Sequence, residues 1–133
     1  GLQRRSFTDV TDGITALVKI IENKDGVADG KIYNIGNPDN DLSIKELASL
    51  MLEMSFHYPE YEPQARNVSI VEISSDEYYG EGYQDIKSRV PYIDNTCEEL
   101  DWSPAIDVKT ALGKIMDTYR HEVAAARALL DKT

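Results

Sequence analysis

The chain has 133 residues, 41% of them hydrophobic, which suffices for one core and therefore for one domain or one portion of a larger domain. Its 24 acidic against 14 basic side chains give a formal net charge of -10, which repels nucleic acid phosphates and anionic membrane surfaces. Cys97 is the only cysteine, and no signal sequence or apolar run near the roughly 20 residues that span a bilayer is present, so we expect a soluble, cytoplasmic protein without a disulfide.

The first predicted element is an amphipathic helix over residues 10–23. Its apolar residues recur at the spacing of one helical face, and Asp9, Thr11 or Asp12 could cap its start. Residues 31–35 are rich in strand-forming side chains and are followed by a run of turn residues. The sequence therefore predicts a helix, a short strand and a loop.

A second helix is predicted after Ser43, because Ser43 and Glu46 have the spacing of a capping box before an apolar face. This helix is expected to run to about Met54. Prolines interrupt the sequence that follows it, and residues 68–73 then alternate in the manner of a second strand.

Residues 74–94 are predicted to be mostly irregular. Thr96 and Glu99 form another capping-box pattern, which predicts a short helix that ends at Pro104. Asp107 is placed to cap a long final helix with an alanine-rich tail. The outline is an α/β arrangement of about four helices and two or three short strands, too few for a doubly wound sheet.

The irregular segment is the most unusual part of the chain, because aromatic and charged residues alternate there with glycines. Loops on a rigid scaffold are where binding residues concentrate. Several basic residues outside the predicted helices could form an anion site, since a guanidinium group suits bidentate contact with phosphate or carboxylate. They could equally be surface ion pairs of little energetic value. These residues are Arg4, Arg5, Arg66, Lys87 and Arg89.

Several residues match the type or spacing of known catalytic or ligand-binding motifs, but their context in the sequence favours a structural role. Tyr83 and Lys87 have the Tyr-x-x-x-Lys spacing of short-chain dehydrogenases, but they lie in a Gly- and Pro-containing loop rather than on a helix. No G-x-G-x-x-G pattern is present, so we do not expect this chain alone to hold a dinucleotide. His57 and His121 lack metal-ligand spacing, which makes a metal site improbable. Cys97 is interpreted as a small helical residue rather than a nucleophile.

Three segments together resemble the C-terminal half of the extended short-chain dehydrogenases that act on nucleotide sugars. Within that family, residues 74–85 followed by Arg89 are similar to the ArnA-type UDP-glucuronate decarboxylases. The three segments are RSFTDVTD at 5–12, YNIGN at 33–37 and LDWSP at 100–104.

The resemblance implies that residues 1–133 are the UDP-sugar-binding portion of a longer enzyme. An absent N-terminal half would carry the Rossmann-type sheet and bind NAD, and the intact enzyme is expected to be a homo-oligomer. The implied reaction oxidises C4 of UDP-glucuronate and then releases carbon dioxide, giving a UDP-4-keto-pentose. That product serves the 4-amino-arabinose modification of lipid A, which underlies polymyxin resistance.

The resemblance also implies roles for individual residues. Arg5 matches the arginine that contacts the nucleotide, Tyr83 the tyrosine that contacts the UDP-sugar, and Arg89 the arginine implicated in catalysis. Arg4 and Gln3 are expected to line the same loop as Arg5. Because a guanidinium group gives up its proton reluctantly, we expect Arg89 to act by stabilising the enolate electrostatically.

Alternative interpretations remain. Arg89 could form a salt bridge with Asp85 or Asp94, and Tyr83 could serve packing alone. The same fold could host a nucleotide-sugar epimerase or dehydratase. From another class, the chain could be an acidic protein-interaction module. If the chain is one portion of an enzyme, the face meant for the other portion should expose apolar side chains, from the first two helices.

Overall fold

The computed structural model arranges the chain in two compact units. It describes residues 1–73, 77–78, 80 and 86–130. Over these described residues, the sheet unit comprises residues 2–44 and 84–108, and the helical unit comprises residues 1, 45–83 and 109–133. The α/β class predicted from the sequence is confirmed.

The sheet unit contains a three-stranded sheet in the order β2–β1–β3. Its strands are β1 (Arg4–Ser6), β2 (Asp41–Ser43) and β3 (Ser88–Arg89). β1 pairs antiparallel with β2 and parallel with β3. The central strand is therefore held on both edges by chain segments that are distant in sequence.

Helix α1 (Val10–Glu22) follows β1 and confirms the first predicted helix. The side chain of Asp9 caps it by accepting a hydrogen bond from the backbone N–H of Thr11, at 2.8 Å. The helix ends at Asn23, which adopts the left-handed conformation with φ of 42° and donates its backbone N–H to the Lys19 carbonyl. Both ends thus satisfy backbone groups that the helix itself leaves unpaired.

The core of the sheet unit forms between α1 and α4 (Asp94–Leu100). Partly buried side chains from the intervening loops pack against it, among them Tyr33 and Ile35. The buried members are Ala16, Ile93, Leu100 and Trp102. These side chains join α1 to the segment that follows β3.

The capping-box prediction at Thr96 is wrong. α4 begins at Asp94, so Thr96 lies inside the helix and is completely buried. Its hydroxyl donates to the backbone carbonyl of Asn34, at 2.8 Å. The same sequence pattern is compatible with a helix-capping threonine and with a buried threonine that bonds to a neighbouring loop. Tertiary contacts determine which of the two roles the residue has.

The helical unit contains the remaining α-helices. The second predicted helix is confirmed, whereas the predicted long final helix is interrupted by a 3-10 turn at Arg120–Glu122. Buried residues come from α2, α3 and α5, and they include Met54, Ala65, Leu112 and Met116. The helices are α2 (Ile44–Ser55), α3 (Glu62–Ala65), α5 (Val108–Tyr119) and α6 (Val123–Leu130).

An aromatic and ionic cluster links the helices of this unit. The rings of Tyr58 and Tyr61 meet edge to face with centroids 5.6 Å apart, and the Arg120 guanidinium lies 5.5 Å from the Tyr58 centroid. Glu60 accepts from Arg120 at 2.8 Å. The Tyr61 hydroxyl donates to the Met116 carbonyl, also at 2.8 Å. We call Tyr58, Glu60, Tyr61 and Arg120 the tyrosine–arginine cluster.

The two strands predicted from β-prone sequence are both wrong. Residues 31–35 and 68–73 are without strand structure. In the first segment Tyr33 and Ile35 pack on the core while Ile32 is 90% exposed, so the alternation reflects a half-buried segment that pairs with no strand among the residues the structure describes. The apolar residues of the second segment are 40% to 73% exposed.

Helix length and hydropathy bear on membrane association. Within the residues that the structure describes, no helix is both long and apolar enough to cross a membrane.

Candidate functional site

The parallel pairing of β1 with β3 places two of the predicted site arginines side by side. Arg5 is the register partner of Arg89, and Arg4 is the partner of Ser88. Residues that face each other across neighbouring strands project to the same side of a sheet, with their backbones about 4.8 Å apart. Arg5 and Arg89 therefore project from one face as a pair of like charges, an arrangement that an anion would stabilise.

The Arg5 guanidinium is anchored by backbone carbonyls. Its Nη1 donates to the carbonyl of Arg4 at 2.7 Å and to that of Ile86 at 2.9 Å. Arg5 is half-buried, so its side chain has fewer available positions than that of an arginine in open solvent. The carbonyl of Ile86 belongs to the segment that leads into β3, which ties Arg5 to the same segment that carries Arg89.

Arg89 is exposed at the surface of the sheet unit. Among the described residues no carboxylate, Asp94 included, forms an ion pair with it. The salt-bridge alternative to Asp94 is therefore not supported, and Asp85 lies outside the described residues.

Arg4 projects to the opposite face of β1 from Arg5, because neighbouring residues of a strand alternate. Its Nε lies 2.8 Å from Oδ2 of Asp41 on β2, and its Nη2 donates to the Asp41 carbonyl at 2.6 Å. Gln3 contributes its backbone carbonyl, which accepts from the Ile44 N–H at 3.2 Å. The structure thus brings Arg5 and Arg89 together and directs Arg4 towards β2.

Tyr83, the predicted contact for the UDP-sugar, lies outside the described residues. Its role stays a prediction.

A buried polar cluster connects the three segments that carry the family resemblance. Asp12, from the first segment, accepts the backbone N–H groups of Ala105 and Ile106 on its Oδ2, at 3.1 and 3.0 Å. Trp102, from the third segment, donates its indole N–H to the Asp12 carbonyl at 3.1 Å and to the Thr15 hydroxyl at 3.0 Å. Both side chains are almost fully buried.

Two asparagines complete this polar cluster. Asn37, from the second segment, and Asn40 both donate their side-chain amides to the carbonyl of Ile106, at 3.1 and 2.9 Å. Asn40 also donates to Phe7 O and accepts from the N–H of Val108, the first residue of α5, at 2.9 Å. The polar cluster therefore consists of Asp12, Asn37, Asn40 and Trp102. It fixes the segment after β1 against the turn before α5.

Tyr33 illustrates how the second segment is held. Its hydroxyl donates to Glu99 Oε2 at 2.7 Å and also lies 3.0 Å from the Val27 carbonyl oxygen. Desolvation of the hydroxyl, reinforced by the Glu99 carboxylate, raises the pKa of Tyr33 to about 12. Hydrogen bonds from Lys31 and Tyr33 lower the pKa of Glu99. Tyr33 is thus held as a neutral donor and not as a base.

Cys97 is part of the sheet-unit core and not a reactive thiol. Burial raises its pKa, and the nearby carboxylates of Asp94 and Glu98 raise it further. The thiol therefore stays protonated near neutral pH, in agreement with its interpretation as a small helical residue. Over the described part of the chain, no group of three or more His, Cys, Asp or Glu side chains is arranged to hold a metal ion.

The sequence analysis singled out Arg5 and Arg89 but missed the residues that position them. Asn40 was read as a turn residue and Asp12 as one possible cap, whereas both are buried acceptors. The signal that could have identified them is their position in or beside the segments that carry the resemblance. A polar residue buried there must have hydrogen-bond partners. Only the fold shows which partners those are.

Comparison with known proteins finds a similar fold within a longer protein. No protein-family model matches the chain. The chain is similar to the PbgP3 protein of Burkholderia pseudomallei in its crystal structure, with 50% sequence identity and a TM-score of 0.80. The match covers 97% of this chain and 35% of PbgP3, so the chain spans about a third of that protein's length. In sequence and in fold, this chain is therefore similar to one portion of PbgP3.

Proposed function

We propose that this chain is the UDP-sugar-binding portion of an NAD-dependent UDP-glucuronate decarboxylating dehydrogenase, acting in the 4-amino-arabinose modification of lipid A. The observation that carries the proposal is the register of β1 and β3, which sets Arg5 beside Arg89. In a chain with a formal charge of -10, two arginines set side by side form a local positive region to which an anion would be attracted.

The proposed substrate offers two kinds of anion to this pair. Its diphosphate suits Arg5, whose guanidinium is anchored through backbone carbonyls and has the fork of donors that phosphate oxygens accept. Its carboxylate, lost as carbon dioxide, leaves an enolate whose negative charge an exposed guanidinium at Arg89 would stabilise. The permanent charge of arginine suits this role better than proton donation.

The oxidation at C4 would be performed by NAD. The described residues do not fit a dinucleotide: between β1 and α1 lie Phe7, Thr8 and Asp9, without the glycines that let a backbone approach a pyrophosphate. NAD would therefore be bound by another portion of the enzyme, and this chain would contribute substrate recognition and charge.

The surface of α1 supports the proposal that another portion packs on this chain. One face of the helix contributes Asp12 and Ala16 to the interior, while a second face exposes large apolar side chains by 45% to 81%. These side chains are Val10, Ile14, Leu17, Val18 and Ile21. A helix that is apolar on two faces is typical of one that lies between two layers. The exposed apolar face expected from the sequence is thus present on α1.

The proposal is tested by an NMR titration of the ¹⁵N-labelled chain with UDP-glucuronate, with UDP-glucose and UDP as comparisons. Ligand is taken to millimolar concentration, because one portion of a divided site binds weakly. We expect shifts centred on Arg5 and Arg89, largest for UDP-glucuronate. Arg89→Ala should abolish the preference for the glucuronate, whereas Arg127→Ala, an exposed arginine of α6, should leave it unchanged.

The outcomes separate the alternatives. A preference for UDP-glucose would favour an epimerase or a dehydratase. The absence of any shift at Arg5 and Arg89 with all three ligands would overturn nucleotide-sugar binding by this chain. Joining the chain to the part of PbgP3 that it does not match, and assaying NADH formation from UDP-glucuronate, tests the decarboxylating dehydrogenase itself.

A further inference from the structure

The loop at residues 34–37 makes a very close contact with the segment that follows Arg89. Gly36 is buried, and a Cβ atom added there would lie 2.5 Å from Cγ and 3.3 Å from Cβ of Pro91. Carbon atoms in van der Waals contact are about 3.5–4.0 Å apart. Pro91 therefore occupies the space that any side chain at position 36 would need.

Close approach is the reason for glycine at position 36. The glycines with positive φ are Gly26, Gly30 and Gly80 among the described residues, so Gly36 does not serve a left-handed turn. Gly13 in α1 gives the opposite case, since a Cβ there would meet nothing within 4 Å. The two positions form a matched pair for experiment.

The same loop holds the chain after Arg89 by a second contact. Asn34 donates its side-chain amide to the Tyr92 carbonyl at 3.0 Å, and its own carbonyl accepts from buried Thr96. The other end of the loop is fixed through Asn37 in the polar cluster. The loop is therefore held in place independently of β3.

We propose that Gly36 is a positioning residue for Arg89: its missing side chain lets Pro91 seat against the loop and so holds Arg89 in register with Arg5. β3 has only two residues, and its pairing alone gives little resistance to a shift. Displacing Pro91 by the width of a methyl group would displace Arg89, two residues away. The role in substrate binding rests on the proposed function, whereas the role in register does not.

The test compares Gly36→Ala with Gly13→Ala and with the double variant Gly36→Ala/Pro91→Ala, which removes the Cγ atom that clashes. Cross-strand NOEs between β1 and β3 report the register without any ligand. We expect Gly36→Ala to lose the NOEs between Arg5 and Arg89, Gly13→Ala to keep them, and the double variant to regain them. Binding of UDP-glucuronate should be about tenfold weaker in Gly36→Ala and recover in the double variant.

Rescue distinguishes positioning from a general loss of stability. If Gly36→Ala fails to fold, the double variant decides: a folded protein with the wild-type register supports the proposal, and one that still fails to fold overturns it. Unchanged β1–β3 NOEs in Gly36→Ala also overturn it. If the wild-type chain does not bind UDP-glucuronate, the proposed function fails, while the NOEs still decide the role of Gly36 in register.

Discussion

Among the described residues, the buried polar side chains all lie in the sheet unit, which also has partly exposed ion pairs such as Arg4 with Asp41. In the sheet unit, the almost fully buried side chains of Asp12, Asn37 and Asn40 bond mostly to backbone groups. In the helical unit, the tyrosine–arginine cluster places an ion pair where both side chains are about 30% exposed. A second pair, Lys45 with Glu72, is about half exposed.

This difference determines how strongly the positions of side chains and loops are fixed in each unit. A buried polar group that loses its hydrogen-bond partner costs its own full desolvation free energy, whereas an exposed ion pair that separates replaces its contacts with contacts to water. The unit that carries Arg5 and Arg89 is thus the one in which buried polar groups must keep their hydrogen-bond partners. This is what a site needs if charges must be held in fixed register.

The largest expected effect is that of Asp12→Ala in the sheet unit. The change removes a buried carboxylate and leaves the N–H groups of Ala105 and Ile106 without their acceptor, and it should lower the free energy of unfolding by about 3 kcal/mol. Urea unfolding followed by the fluorescence of Trp102, the only tryptophan, measures it. Asp39→Ala, at an exposed position nearby, is the control and should change little. Similar losses for the two variants would contradict the stabilising role of the Asp12 hydrogen bonds.

An intermediate effect is expected for Trp102→Phe. Phenylalanine keeps an aromatic ring but removes the indole N–H that bonds to the Asp12 carbonyl and the Thr15 hydroxyl. The free energy of unfolding should therefore fall by about 1–2 kcal/mol. Urea unfolding followed by circular dichroism is the measurement. Tyr119→Phe, which removes an exposed hydroxyl, serves as the matched aromatic control. Equal midpoints for both variants would show that the indole hydrogen bonds contribute nothing.

The smallest effect is expected in the helical unit, for Arg120→Gln. The hydrogen bond from Arg120 lowers the pKa of Glu60 below its usual value. A depressed carboxyl pKa adds stability above the pKa of the unfolded chain, and this stability disappears as the pH falls through the folded pKa. In the variant the pKa of Glu60 should rise towards its ordinary value, which NMR of the side-chain carboxyl can follow. Arg127→Gln should leave it unchanged, and an unshifted Glu60 in both would refute the pairing.

The helices were predictable because their signals are local. Capping by Asp9, the apolar periodicity of α1 and the start of α2 after Ser43 all depend on residues a few positions apart. The strands were not predictable in this way. Residues 31–35 and 68–73 have strand-forming side chains but pair with no strand within the described part of the chain. β1, β2 and β3 consist of two or three mostly polar residues that pair only because the fold brings them together.

The candidate site shows the same division. The resemblance identified Arg5 and Arg89 one at a time, but no local pattern shows that they are register partners. Gly36 has the composition of a turn residue, and its contact with Pro91 depends on packing across the whole sheet unit. Residue types could thus be recognised from sequence, and their geometry could not.

The parallel pairing of β1 with β3 also has a consequence for the order of folding. It joins chain segments such as Arg5 and Ile86 that are 81 positions apart, so closing this loop costs entropy before any local structure compensates for it. The arginine pair therefore cannot form in a chain that has folded only its helices. On the ribosome, Arg5 and Arg89 would therefore become neighbours only after nearly all of the sheet unit has been synthesised.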